Sequence, residues 1–326
     1  MKALMCNEFG PIENLEIQDI ASPVAQPGQV VVAIKAAALN FPDALIVQGL
    51  YQVKPLLPFS PGAEFAGVIK AIGEGVGNVK VGDRVIALVP HGGLAEECAV
   101  DARAVIPLPA DMDFATGAAL LLTYCTSLHA LKDIAKLAQG ETLLVLGAAG
   151  GVGIAAIEIG KLMGARVIAA ASSEEKLALC REHGADDTID YTNEDLRERL
   201  DALTGKRGVD VVYDAVGGTH TEASLRATAW GGRLLVVGFA SGEIPRIPLN
   251  LPLLKERAIL GVYWGDWAKR NPTLQQAHLM QLLTWFRDKQ IVPPVTEQVP
   301  LAGAVAALQR MAGRQVRGKV VVLPQA

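Results

Sequence analysis

The chain has 326 residues, more than one ordinary core holds, so two domains or one large α/β domain are expected. Apolar residues make up 51% and charged residues 20%, which excludes a disordered chain. A net charge of −4 gives no basic footprint for nucleic acid or an anionic membrane, and no apolar run approaches the ~18 residues of a membrane span.

The opening Met1-Lys2-Ala3-Leu4-Met5 lacks the apolar core of a signal peptide, so a cytoplasmic protein is expected. Cys6, Cys98, Cys125 and Cys180 lie far apart with no CxxC, and are expected to be plain core residues. Apolar runs at 29–39, 64–72, 84–89 and 94–100 predict strands, separated by Gly/Pro/Asp clusters at 58–62, 73–77 and 81–83. Short strands with such punctuation predict a barrel-like β unit. Beyond residue 110 the texture changes, and 114–137 predicts two helices. Predicted strands at 142–146, 166–170, 187–189, 209–215 and 233–238 then alternate with helices at 152–163, 174–182, 193–204 and 219–228. That rhythm predicts the α/β class, with a Rossmann-type doubly wound parallel sheet. A helix at about 273–289 and a strand at 319–323 follow.

The strongest local signal is Gly147-Ala148-Ala149-Gly150-Gly151-Val152-Gly153, between a predicted strand and a predicted helix. Small residues let the backbone approach a pyrophosphate, and the helix N-terminus offers free N–H groups and a positive dipole end. Against the G-x-G-x-x-G fingerprint the first glycine is replaced by Ala148. A dinucleotide site selective for NAD places an acid at the end of the second strand, to bind the ribose 2′-OH. Here that strand ends in Ser172 and Ser173 with Lys176 one turn on, a set that suits a 2′-phosphate and predicts NADPH/NADP+. Glu174 and Glu175 suit the helix dipole.

These residues resemble the zinc-free quinone oxidoreductase (zeta-crystallin-like) branch of the medium-chain dehydrogenase/reductase superfamily, over nearly the whole chain. One matching stretch is Gly140-Glu141-Thr142-Leu143-Leu144 followed by 148–153 and Lys161. Others are Ala36-Ala37-Ala38-Leu39-Asn40-Phe41-Pro42-Asp43, Gly49-Leu50-Tyr51, Pro61-Gly62-Ala63-Glu64-Phe65-Ala66-Gly67 and Gly82-Asp83-Arg84-Val85. Glu158 stands where the branch has Gln, and is expected to be surface variation. The resemblance implies a GroES-like, partly open β-barrel catalytic domain at 1–121, a Rossmann NADP-binding domain at 122–261, and a return to the catalytic domain over 262–326. It also implies a homodimer.

Zinc-bearing relatives of this superfamily carry Cys at the place of Asn40 and Gly-His-Glu at the place of Gly62-Ala63-Glu64. Catalytic zinc needs three protein ligands, so no metal is expected, and His91, His129, His183, His220 and His278 are scattered. Without a Lewis acid a simple ketone is hard to reduce, whereas a quinone or enone leaves a delocalised anion. The resemblance places Asn40, Asp43 and Tyr51 as catalytic residues of the substrate cleft. It places Thr123 and Thr126 at the nicotinamide and Tyr191 at the adenosine end. Val216 and Gly217, then Gly238 and Phe239, close two strand ends, and Tyr263, Arg317 and Lys319 complete the cofactor set with Ala149, Gly150, Gly151, Val152 and Gly153.

Three functions are then open. One is an NADPH-dependent reductase of quinones or α,β-unsaturated carbonyls. Another is an enoyl-thioester reductase of the acyl-CoA type. The last is a non-catalytic NADPH-binding sensor.

Overall fold

The Val, Ile and Ala run near residue 30 forms the ten-residue strand Gln29–Ala38 in a computed structural model that describes residues 1–326. Strands buried on both faces read as near-continuous apolar runs, and Val30, Val31 and Val32 are all buried here. One edge of this strand pairs antiparallel with Glu64–Ile72. The other is shared: Glu97–Asp101 pairs with its first half, and Lys319–Leu323 with Ala37 and Ala38. The sheet runs Val295–Pro300, Lys319–Leu323, Gln29–Ala38, Glu64–Ile72, Arg84–Leu88, Val105–Pro107. This is the GroES-like domain, and its core gathers Val30, Phe65, Ile69, Val85, Leu308 and Val322.

The expected strand at 94–100 is shorter, Glu97–Asp101, because its first residues turn to the N-terminal strand Lys2–Met5. There Leu4 N–H donates to the Leu94 carbonyl and Ala3 bridges Ala95. The helix Phe41–Val47 was hidden by its brevity, seven residues with Pro42 in the first turn.

The second sheet has six parallel strands in the order Asp187–Asp190, Arg166–Ala171, Thr142–Leu146, Val209–Asp214, Thr228–Val236, Ala258–Gly261. Strand order reverses beside Thr142–Leu146, the switch point at which Rossmann sheets bind dinucleotides. Its core includes Leu144, Leu146, Ile168, Ala170, Val212 and Leu234. The predicted helical run at 114–137 is split into Phe114–Ala118, Leu121–Leu128 and a π-helical turn, His129–Ile134.

The chain forms two units: Met1–Leu122 with Pro293–Ala326, and Thr123–Val292. The first break lies one residue beyond the expected one. The return expected at 262 instead comes at 293, because 262–292 is anchored to the parallel-sheet unit. Trp267 stacks with both His129 and His278, with centroids 4.1 and 5.2 Å away. Val292 N–H donates to both carboxylate oxygens of Glu158, each at 3.2 Å.

Glu158 is therefore no surface variation. It is 7% exposed, accepts the Tyr124 hydroxyl at 2.7 Å and meets His183 Nδ1 at 2.7 Å. A carboxylate accepts at both oxygens, and this one gathers two helices, a helix end and the end of the unit.

Candidate active site

The turn after Thr142–Leu146 is built for backbone approach. Gly147 takes φ +65°, the left-handed conformation that glycine enters without strain. The glycine missing at 148 is thus supplied one position earlier, and Ala148 N–H pairs with the Ala170 carbonyl at 3.1 Å. A Cβ on Gly153 would stand 2.5 Å from the Ala148 carbonyl oxygen, so only glycine lets the helix Gly151–Leu162 pack this close to the strand. Gly150 is the N-cap, and no side chain caps this helix. A Cβ there would meet nothing nearer than 3.4 Å. The first turn, with Gly151 and Val152 half-buried after Ala149, thus has no side-chain cap, and first-turn N–H groups have no partner within their helix.

At the end of the second strand, Lys176 Nζ donates to Ser172 Oγ at 3.0 Å. Ser173 is engaged differently: its Oγ accepts the Lys176 N–H and caps the helix Glu174–Glu182. Glu174 pairs outward with Arg181. Thr192 Oγ1 donates to the Ser172 carbonyl at 3.2 Å, which puts Tyr191 beside this strand end. The Tyr191 ring lies 4.4 Å from the His220 ring. Sequence reasoning passed over His220 because its ring partner is 29 positions away by number and nothing local pairs them.

Asp214 fixes the next strand end. Its Oδ1 accepts the N–H groups of Val216 and Gly217, both at 2.9 Å, and its Oδ2 accepts Thr221 Oγ1 at 2.5 Å. Gly238 N–H donates to the Asp214 carbonyl at 3.3 Å, bringing Gly238 and Phe239 to the same edge. Thr123 is buried and Thr126 half-buried on Leu121–Leu128, while Tyr263 is exposed at the N-cap of Trp264–Arg270.

The barrel unit carries the second group. Asn40, Asp43, Glu64 and Lys319 are each at most 4% exposed. Lys319 Nζ donates to Asn40 Oδ1 at 2.6 Å and to Glu64 Oε2 at 3.3 Å. Asn40 Nδ2 donates to Glu64 Oε2 at 3.1 Å and to the Ala38 carbonyl at 3.3 Å. Glu64 Oε1 accepts the Leu122 N–H at 2.9 Å. The helix start is capped from inside: Asn40 N–H donates to Asp43 Oδ2 at 2.8 Å, and Asp43 N–H to the Asn40 carbonyl at 2.9 Å. Asn40's side chain is left for Glu64 and Lys319. Burial pushes the Asp43 carboxyl up to about 7, against the pull of the Asn40 N–H and Lys319; Glu64 pushes it further up.

The resemblance-based site residues thus fall into these two groups. Lys319, expected over the nicotinamide and phosphates, is bound within its own unit to Asn40 and Glu64. Arg317 is exposed, its carbonyl accepting Thr296 Oγ1 at 2.6 Å. Tyr51 is half-buried against the barrel core. Glu64 was missed as a site residue, although the Gly62-Ala63-Glu64 triplet marked the position.

Comparison with known proteins agrees with this layout. Residues 26–110 match the alcohol dehydrogenase GroES-like domain, and 151–282 the zinc-binding dehydrogenase family. The chain is 38% identical to a quinone oxidoreductase-like protein 2 homolog of Nematostella vectensis, over 98% of this chain and 88% of that one. The chain belongs to the quinone oxidoreductase branch of the medium-chain dehydrogenase/reductase superfamily. Its fold matches that of Escherichia coli quinone oxidoreductase complexed with NADPH, at TM-score 0.92 and 28% identity, over 99% of this chain and 100% of that one. The CurK enoyl reductase is also similar, at TM-score 0.88 and 27% identity, over 99% and 98%. The protein is an oxidoreductase.

The zinc in that family description does not fit these residues. No group of three or more His, Cys, Asp or Glu side chains is placed to hold a metal ion. Where relatives carry ligands, an ammonium already sits 2.6 Å from Asn40 Oδ1, and a second cation beside it would be repelled. His129 and His278 do converge, with Nδ1 and Nε2 respectively 2.8 and 3.5 Å from Asp133 Oδ2, but both rings are stacked on Trp267. The cysteines are all unbridged, and burial pushes the Cys98 and Cys180 thiols up to about 12, far from a reactive thiolate.

Proposed function

We propose that this protein is an NADPH-dependent oxidoreductase that reduces quinones or α,β-unsaturated carbonyls without a metal ion. The observation that carries the cofactor choice is the Lys176–Ser172 pair, 3.0 Å apart, at a strand end with no carboxylate. NADPH, when bound, supplies the hydride. The uncapped first turn of Gly151–Leu162 receives the pyrophosphate on backbone N–H groups, with Gly150 leaving room for it. Ser172 and Lys176 hold the 2′-phosphate, and Tyr191 with His220 flanks the adenosine end. On this reading Val216, Gly217, Gly238 and Phe239 would serve the cofactor along these strand ends, Thr123, Thr126 and Tyr263 would serve its nicotinamide, and Arg317 its phosphates. On this reading Asn40, Asp43 and Tyr51 belong to the substrate side. Tyr51 donates a hydrogen bond to the oxygen that gains charge, and a proton from solvent completes the reduction.

With no site that fits a metal, a substrate whose reduced anion is delocalised is favoured over a simple ketone. The likeness to an enoyl reductase supports a second substrate class, a thioester-linked enone. NADPH oxidation with 1,4-benzoquinone, a simple enone and crotonyl-CoA separates them: turnover with the first two is expected. Turnover with crotonyl-CoA alone would select the second reading, and tight NADPH binding with no turnover would leave a sensor. We also propose a homodimer joined at the sheet edge Ala258–Gly261, supported by exposed Ile259 and Trp230 in its last two strands. Light scattering on the purified protein tests it.

A further inference from the structure

The buried group in the barrel holds one obligatory donor and one obligatory acceptor on opposite ends of the same amide. An ammonium can only donate and an ionised carboxylate can only accept. Lys319 Nζ at 2.6 Å therefore fixes which end of Asn40 is Oδ1, and Glu64 at 3.1 Å fixes which end is Nδ2. A flipped amide would set Nδ2 against the ammonium and Oδ1 against the carboxylate. The same Asn40 donates its backbone N–H to the carboxylate of Asp43, three residues on. All four residues are essentially sealed from solvent, so water does not screen these charges from each other.

We propose that Lys319 is the positioning residue of this site: its ammonium locks the Asn40 carboxamide in one orientation and sets the charge that Asp43 faces. The proposal rests on the assignment of Asn40 and Asp43 to the substrate side only for its effect on turnover. Lys319 does not touch substrate; it acts through the two residues it holds. The charged groups that bear on Asp43 are Lys319, from Lys319–Leu323, and Glu64, from Glu64–Ile72. The other influences are burial, the largest, which pushes the carboxyl up, and the N–H groups of Asn40 and Ala63, which pull it down. The ammonium thus opposes Glu64 and favours an ionised Asp43, whereas its loss leaves burial and Glu64 opposed only by those N–H groups.

The test needs no turnover. Carboxyl ¹³C titration of aspartate-labelled full-length protein, with Asp43 assigned by its loss in Asp43→Asn, reads the proton directly. Lys319→Met is expected to raise the Asp43 midpoint by about one pH unit or more, and Lys319→Arg to keep it near the wild-type value. The side-chain amide of Asn40 gives a second reading. It should exchange slowly in wild type and in Lys319→Arg, and at least about tenfold faster in the double variant Lys319→Met/Glu64→Gln, which removes the Lys319 and Glu64 charges together and so keeps the test open should Lys319→Met not fold. Matching midpoints for wild type and Lys319→Met would overturn the proposal. So would slow Asn40 exchange in the double variant. If the substrate-side assignment is also right, Lys319→Met lowers kcat more than it raises KM for NADPH. Resonance changes without that split would break the functional assignment and leave the positioning role standing.

Discussion

The phosphate turn and the barrel cluster handle polar groups in opposite ways. The turn is made of backbone and small side chains, with a helix N-terminus left uncapped. The cluster is made of side chains, and each of Asn40, Glu64 and Lys319 bonds within the group. An open donor set costs little while water covers it and is ready for an anion, which is how a site binds. A closed set binds nothing by itself and instead holds its members in one arrangement, because breaking any bond strands a buried polar group. Changes in the turn should therefore alter affinity, and changes in the cluster should alter stability and its pH dependence.

The largest effect expected from this contrast lies at Asp43. A carboxyl raised to about 7 keeps its proton in the folded protein up to about that pH, while the unfolded chain releases it near pH 4. Its contribution to stability is full at low pH and is lost as pH rises through about 7, a change of up to about 4 kcal/mol. Asp43→Asn cannot titrate, so urea denaturation from pH 4.5 to pH 8, marks at roughly either side of that window, should show a flatter stability profile than wild type. An equally steep profile in the variant would end the claim that the cluster governs this pH response.

Next in size is a pair of changes inside the turn. In Gly153→Ala the new methyl meets the Ala148 carbonyl at 2.5 Å, so about 1–3 kcal/mol of stability should go together with NADPH affinity. Gly150→Ala meets nothing nearer than 3.4 Å and has ordinary φ, so its melting temperature should hold while affinity falls about tenfold. Calorimetry with and without NADPH checks both, and a destabilised Gly150→Ala would blur the line between an open turn and a packed one. The smallest effect is expected at Lys176, whose ammonium reaches Ser172 across half-buried surface. Lys176→Ala should raise KM for NADPH several-fold, about 1 kcal/mol, and leave KM for NADH nearly unchanged. Equal changes for the two cofactors would refute a 2′-phosphate contact.

Legibility in the sequence follows the same division. The turn, its strand and its helix lie within 142–162, and their signals are local: an apolar run, small residues, a helical period. The predicted strand 142–146 and helix 174–182 have the observed bounds for that reason. The cluster is assembled across 24 positions from Asn40 to Glu64 and 279 from Asn40 to Lys319, so no window of sequence contains it. Resemblance named Asn40, Asp43 and Lys319, but it placed Lys319 on the cofactor and left Glu64 without a part. Glu158 misled for the same reason. It sits on a helix with the look of a surface position, and its partners Tyr124, His183 and Val292 arrive from elsewhere in the chain.

The shared edge of Gln29–Ala38 bears on how this molecule is made. The far end of that edge waits for Lys319–Leu323, which leaves the ribosome some 280 residues later, an interval on the order of tens of seconds during synthesis. Until then Ala37 and Ala38 present unpaired backbone, and Glu64 has no cation to neutralise it. The nascent barrel is exposed to wrong strand partners throughout that delay, whereas the parallel-sheet unit, drawn from one uninterrupted stretch, has all its strands in hand first.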